Sequence, residues 1–225
     1  MISIAIDGPS GAGKSTISRT VAGKLGYLYV DTGALYRTIG LYVLRKGGDP
    51  KNEQQVEALL PELKVDMGYE NGIQQMFLLG ENVTDQIRTP EVSMAASGVS
   101  AHSCVRAYLL ELQRRLAREN NVIMDGRDIG TVVLPKADVK IFLTASSEVR
   151  AKRRFDELTA KGENTTFEKV LEDVEKRDYA DIHRAISPLV QAEDAIVADT
   201  SQFNFEESVA LIQKIITEHL STLNV

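Results

Sequence analysis

The segment Ile2–Thr16, ISIAIDGPSGAGKST, constrains this chain more than any other. The residues after Met1 form an apolar, β-branched run that reads as a buried strand and breaks at Asp7-Gly8-Pro9. Gly8-x4-Gly13-Lys14-Ser15 then has the spacing of a phosphate-binding loop opening a helix. Glycines let the backbone curl so that successive N–H groups face anionic oxygens, and the positive end of the following helix adds to the field. The stretch from Gly8 through Pro9, Ser10, Gly11, Ala12, Gly13, Lys14 and Ser15 to Thr16 is therefore the expected triphosphate site. Lys14 can reach the β- and γ-phosphates, and the Ser15 hydroxyl is the expected Mg2+ ligand.

The rest of the chain alternates short apolar strands with helices. Ile17, Val21, Ala22 and Leu25 recur at helical spacing, with Gly26 as the stop. A strand at 27–30 runs into Asp31-Thr32-Gly33, which starts a helix through Arg37 to a Gly47-Gly48 break. Helices are expected at 53–60, 91–99 and 103–119, the last with Glu111 and Arg115 as an i,i+4 pair. A strand at 121–124 ends in Asp125-Gly126-Arg127-Asp128-Ile129-Gly130, where opposite charges flanked by glycines mark a candidate site. Strands at 139–143 and 195–198 follow, and Ser146 and Glu148 suit the start of a helix. Five strands alternating with helices predict an α/β fold, a five-stranded parallel sheet with helices on both faces. The loop after the first strand makes it a P-loop NTPase fold.

Residues 63–86 alternate with period two around Glu70-Asn71-Gly72, which predicts a small inserted antiparallel β-sheet, either surface decoration or part of a binding region. Arg150 and Arg154 lie one helical turn apart and can converge on one phosphate chain. Arg177, Asp181 and Arg184 stand at i, i+4 and i+7, a polar stripe that suits a site or a salt-bridged surface equally. Arg37 likewise reads as near the loop or as solvated surface.

Composition narrows the function classes. A net charge of −6 and a pI near 5.2 argue against nucleic-acid and anionic-membrane partners, so local basic clusters must answer to local anions. Cys104 is the single cysteine, which points to a reducing compartment and to no disulfide or zinc site. No apolar run approaches the ~18 residues of a membrane span, and Met1 leads straight into the first strand without room for a leader. A cytoplasmic protein, with nothing that demands more than a monomer, is the expectation.

The segments GPSGAGKST, DTGALYR, EVSMAAS, Val105-Arg106, DGRDIGTVV, VKIFLTASSEVRAKRR and RDYADIHRAISPL, in that order and spacing, resemble bacterial cytidylate kinases from end to end. The resemblance implies transfer of the γ-phosphate of ATP to CMP and dCMP with Mg2+. It implies that Thr32, Ser97, Arg106 and Asp128 recognise the cytosine side of the acceptor and that Arg37, Arg127 and Arg184 hold its phosphate. Arg177 and Asp181 fall at the sugar–phosphate end, with Asp181 accepting from ribose hydroxyls. Lys14, Arg127, Arg150, Arg154 and Arg184 form the expected charge-neutralising set. The implied organisation is one kinase unit: a core of 1–31, 121–149 and 186–225, an acceptor-binding region of 32–120 enlarged by the insertion, and a helical lid of about 150–185. A P-loop kinase for another small acceptor, such as UMP, shikimate or a nucleoside, is the nearest rival. A regulatory protein that holds ATP without transferring phosphate is the other.

Overall fold

The computed structural model describes residues 1–70 and 72–223, so Asn71 of the expected 70–72 turn lies outside the described residues. In chain order the elements are β1 (Ser3–Asp7), α1 (Lys14–Leu25), β2 (Leu28–Asp31), α2 (Thr32–Arg45), α3 (Glu53–Leu59), β3 (Val65–Glu70), β4 (Ile73–Leu78), β5 (Glu81–Asn82), α4 (Pro90–Val99), α5 (Ser103–Glu119), β6 (Val122–Gly126), β7 (Val139–Thr144), α6 (Ser147–Ala160), α7 (Phe167–His183), β8 (Ile196–Asp199) and α8 (Phe205–Leu223). Short 3-10 turns cover Leu60–Glu62 and Gln86–Arg88, and a single π-turn covers Ile129–Val133. No helix among the described residues is long and apolar enough to cross a membrane.

The chain divides into two compact units, residues 1–28 with 120–225 and residues 29–119. The first is built on a parallel five-stranded sheet in the order β2-β6-β1-β7-β8. Ile4, Ile6, Ile123, Met124, Ile141 and Leu143 are buried on it, which explains why its strands read as continuous apolar runs and not as alternating ones. β2 joins through Leu28, whose N–H donates to the Asn121 carbonyl at 2.8 Å. Helix starts follow side-chain capping: Ser146 accepts from the Val149 N–H at α6 and Thr166 from the Lys169 N–H at α7. Gly26, at φ 68°, closes α1. α6 and α7 pack through Ala151, Val170 and Val174, with Phe155 and Phe167 edge to face.

The second unit has its own core, formed by Leu35, Ile39 and Val43 of α2, Val99 of α4, Val105 and Leu109 of α5, and Met76 and Leu78 of the inserted sheet. That sheet, in the order β3-β4-β5, is antiparallel, with Tyr69 opposite Gln74 and Met67 opposite Met76. α2 and α4 approach closely because Gly40 has no side chain: a Cβ there would stand 2.9 Å from the Ala96 nitrogen. On α5 the partner of Glu111 is Arg118, not the Arg115 expected from i,i+4 spacing.

Candidate active site

In the first unit the phosphate loop leaves β1 at Asp7 and enters α1 at Lys14. Gly8, Gly11 and Gly13 have φ of 148°, 78° and 86°, backbone that a residue with a Cβ resists. At Gly8 the demand is also steric, since a Cβ would sit 1.9 Å from the Leu143 carbonyl oxygen on β7. Lys14 is buried, and its Nζ donates to the Gly8 and Pro9 carbonyls at 2.7 Å each. Burial and the neighbouring Arg127 guanidinium push its pKa well below the usual lysine value, against the pull of Asp125, Asp7 and Asp181. The Ser15 hydroxyl donates to the Asp125 carboxylate at 2.8 Å. A hydroxyl and a carboxylate at this spacing are hard oxygen donors that suit Mg2+.

Asp125 lies in the 125–130 turn that the sequence marks as a candidate site, but the sequence reading gave it no role of its own. Its signal was an acid closing an apolar strand. What made it informative was β6 lying beside β1 in the sheet, so that Asp125 meets Ser15.

Beyond Asp125 the chain turns sharply, and Asp7 fixes that turn. Its carboxylate accepts from the Ile129 N–H at 2.8 Å and the Gly130 N–H at 2.7 Å. Burial pushes the Asp7 pKa up to about 6, with these two N–H groups and Lys14 working the other way and Asp128 reinforcing the rise. Arg127 leaves the turn toward α7, where its Nε donates to Asp181 at 2.7 Å. Burial alone would raise the Asp181 pKa, but Arg127, Arg177 and Arg184 together bring it below the usual carboxylate value. Arg184, just past the end of α7, stands 3.7 Å from the buried Asp128 and also donates to the Ser187 carbonyl. The unit therefore gathers Arg127, Asp128, Asp181 and Arg184, with exposed Arg177 near Asp181, into one field shared with Lys14.

Arg150 and Arg154 have different surroundings despite their spacing. Arg150 is buried; it donates through Nε to the Ala145 carbonyl at 2.8 Å and through NH1 to the Ser10 carbonyl of the phosphate loop at 2.9 Å. Its fork also grips Asp178 of α7 at 3.0 and 2.5 Å. Arg154 lies at the surface and pairs with Glu157 at 2.9 Å. The two guanidinium groups do not converge: one faces the packed seam between α6 and α7 and the other faces solvent.

In the second unit Asp31 caps α2, accepting from the Ala34 N–H at 3.0 Å, and holds the Arg37 guanidinium at 2.7 Å. Thr32 is buried at the first position of the same helix. One turn along, the Tyr36 ring carries the Arg106 guanidinium at 5.5 Å, and Arg106 also donates to the Ser100 carbonyl at 3.0 Å. Ser97 is exposed on α4, its carbonyl accepting from the Ser100 hydroxyl.

A parallel sheet with this loop after its first strand, a lysine and a hydroxyl–carboxylate pair at the loop, and guanidinium groups beside it define a P-loop phosphotransferase. The family model described as cytidylate kinase matches residues 4–218. A curated cytidylate kinase from Caldicellulosiruptor bescii is 49% identical over 215 residues, covering 96% of this chain and 94% of its own. One from Leuconostoc mesenteroides subsp. mesenteroides is 48% identical over 218 residues, 97% of each chain. A solved structure of an uncharacterized protein from Eubacterium ventriosum aligns at a TM-score of 0.53 and 12% identity over 96% of this chain and 99% of its own, a likeness of fold alone. The chain belongs to the cytidylate kinase family, and so to the nucleoside monophosphate kinases.

Proposed function

We propose that the chain transfers the γ-phosphate of ATP to CMP or dCMP, giving CDP or dCDP and ADP. The observation that carries this reading is the cluster of cations around Asp181: Arg127, Arg177 and Arg184 stand within electrostatic reach of it, and Arg127 acts on Lys14 of the loop as well. A protein that only stores ATP has no use for it. Arg127 and Arg184 hold the acceptor phosphate, and the family resemblance adds Arg37. An acceptor phosphate is already anionic and needs no dedicated base, so placement and charge neutralisation carry the reaction.

Asp128 accepts the 4-amino group of cytosine, which uracil replaces with an acceptor. Thr32, Ser97 and Arg106 serve the same base side, and Arg177 and Asp181 the sugar side. Ser15 and Asp125 hold Mg2+, which supplies Lewis-acid neutralisation of the donor phosphates. Lys14 exchanges its two loop carbonyls for phosphate oxygens. Arg154 is free of the packed seam and is the lid arginine that reaches the transferred group. Arg150 secures Ser10 within the loop, and closure of 150–185 would exclude water. A monomer in the cytoplasm suits a chain of this composition.

A coupled assay of ADP release with ATP, Mg2+ and each of CMP, dCMP, UMP and AMP tests the reading. Turnover with CMP and dCMP well above the others is expected. Preference for another acceptor would reassign the base site, and ADP release independent of any acceptor would overturn the transferase reading.

A further inference from the structure

The inserted sheet of the second unit carries an amide where its pattern asks for an apolar side chain. The inward positions of β4 are Gln74, Met76 and Leu78. Met76 and Leu78 enter the core, and Gln74, 8% exposed, is buried beside them. A buried amide must find partners or destabilise the fold. Gln74 finds them in the backbone of one residue and in a neighbouring sulfur: its Oε1 accepts from the Asp31 N–H at 2.8 Å, and its Nε2 donates to the Asp31 carbonyl at 3.3 Å and to Met76 Sδ at 3.1 Å. The two bonds to Asp31 are those a neighbouring strand would otherwise supply.

Directly across the β3–β4 ladder from Gln74 is Tyr69, whose hydroxyl donates to the Tyr29 carbonyl at 2.9 Å. One cross-strand pair thus clasps residues 29 and 31, two positions apart on β2. The clasp sits immediately before the groups that matter. One oxygen of Asp31 caps α2 and the other holds the Arg37 guanidinium at 2.7 Å. Arg37 Nε is buried and has no hydrogen-bond partner among the described residues, which leaves it a donor for a ligand oxygen.

We propose that Tyr69 and Gln74 are positioning residues for the acceptor: by fixing the Asp31 backbone they aim Arg37 at the nucleotide's phosphate. The inference rests on the reading of Arg37 as an acceptor-phosphate arginine. It gives the inserted sheet a task beyond decoration, and it explains why an amide occupies a site that methionine could fill without desolvation cost.

The test uses Gln74→Met, which keeps the volume and removes both bonds to Asp31, and Tyr69→Phe, which removes one hydroxyl and keeps the ring. KM for CMP is expected to rise roughly tenfold in Gln74→Met and a few-fold in Tyr69→Phe, while KM for ATP stays within about twofold. In an Arg37→Ala background the same substitutions are expected to raise KM for CMP no further, because the group they aim is gone. Equal changes in both KM values, an unchanged KM for CMP, or a full effect persisting without Arg37 would each overturn the proposal. If Gln74→Met fails to fold, Tyr69→Phe carries the same comparison. A wild-type KM for CMP in Arg37→Ala alone refutes the parent reading of Arg37, whereas a normal Arg37 effect without coupling to Gln74 refutes only the clasp.

Discussion

Removing the carboxylate of Asp178 should cost this protein more stability than removing any exposed charge, and the loss should be repaired by removing its partner as well. The Arg150 side chain is 5% exposed and that of Asp178 17%. Breaking a buried ion pair from one side typically costs about 3–5 kcal/mol, because the stranded charge stays desolvated. Here Arg150 keeps the Ala145 and Ser10 carbonyls, and Asp178 is partly wet, so about 2–4 kcal/mol is expected for Asp178→Ala. In a chain of this size each kcal/mol moves Tm by about 2–4 °C, which makes the loss about 5–15 °C. The double variant Arg150→Met with Asp178→Leu replaces the pair by apolar groups of similar bulk and should regain most of that loss. Urea unfolding and thermal melting measure both. KM for ATP should rise in the single variant, since the guanidinium that holds the Ser10 carbonyl is no longer fixed by α7. A single-variant loss below about 1 kcal/mol, or a double variant no more stable than the single, would refute the account of Arg150 as a buried tie between the loop and α7.

Asp128→Asn should lower kcat/KM for CMP by about 30-fold, roughly 2 kcal/mol of transition-state binding, with a smaller effect on UMP; equal effects on the two acceptors would remove Asp128 from the base site. Asp7 supplies a pH dependence. Its folded-state pKa of about 6 lies above the ordinary 3.8, so its stabilising contribution is complete below pH 3.8 and is lost as pH rises to about 6. The stability difference between wild type and Asp7→Asn should therefore shift against the wild type by about 2 kcal/mol between pH 4 and 7; urea unfolding at intermediate pH values reads it, and parallel curves would sink it. Gly8→Ala should be severely destabilised, by about 3 kcal/mol or more, because the added Cβ meets the Leu143 carbonyl, whereas Gly162→Ala, at φ 77° with open space around it, should lose only about 1 kcal/mol. Similar melting of the two would contradict the close approach of the loop to β7.

Most of the fold was legible because local chemistry and tertiary context agreed. Gly26 ends α1, Asp31 and Ser146 cap helices, and the period-two pattern of 63–86 became β3 to β5. What the chain order hid was adjacency. Asp125 acquires its meaning from the Ser15 hydroxyl 110 positions away, which depends on β6 lying beside β1. Arg150 and Arg154 share a helical face by spacing, but the turn holding Arg150 is packed against α7 and the next turn is not, so depth separated what periodicity joined. Gln74 looked like an ordinary polar position in an alternating strand, and only its burial marks it. Asp178 lies inside the RDYADIHR stripe, where a surface charge and a buried clamp have the same spelling.

The net charge of −6 looks at odds with binding two polyanions, and the way the acids sit against the cations and the loop hydroxyl eases the conflict. Arg37 leans on Asp31, Arg127 on Asp181, Arg184 faces Asp128 and Ser15 donates to Asp125. Two of these acids, Asp125 and Asp128, lie at or just beyond the carboxyl end of β6, where an open parallel sheet places its ligand crevice. A guanidinium has five N–H donors, so one carboxylate can fix its direction and leave others for a phosphate. On the proposed roles of Arg37, Arg127 and Arg184, Asp31, Asp181 and Asp128 then do not compete with the substrates for whole cations; they remove orientational freedom that a phosphate would otherwise have to remove on binding. Deleting the Asp31, Asp181 or Asp128 carboxylate should then weaken anion binding even though it makes the protein less negative, the opposite of what net charge alone would predict.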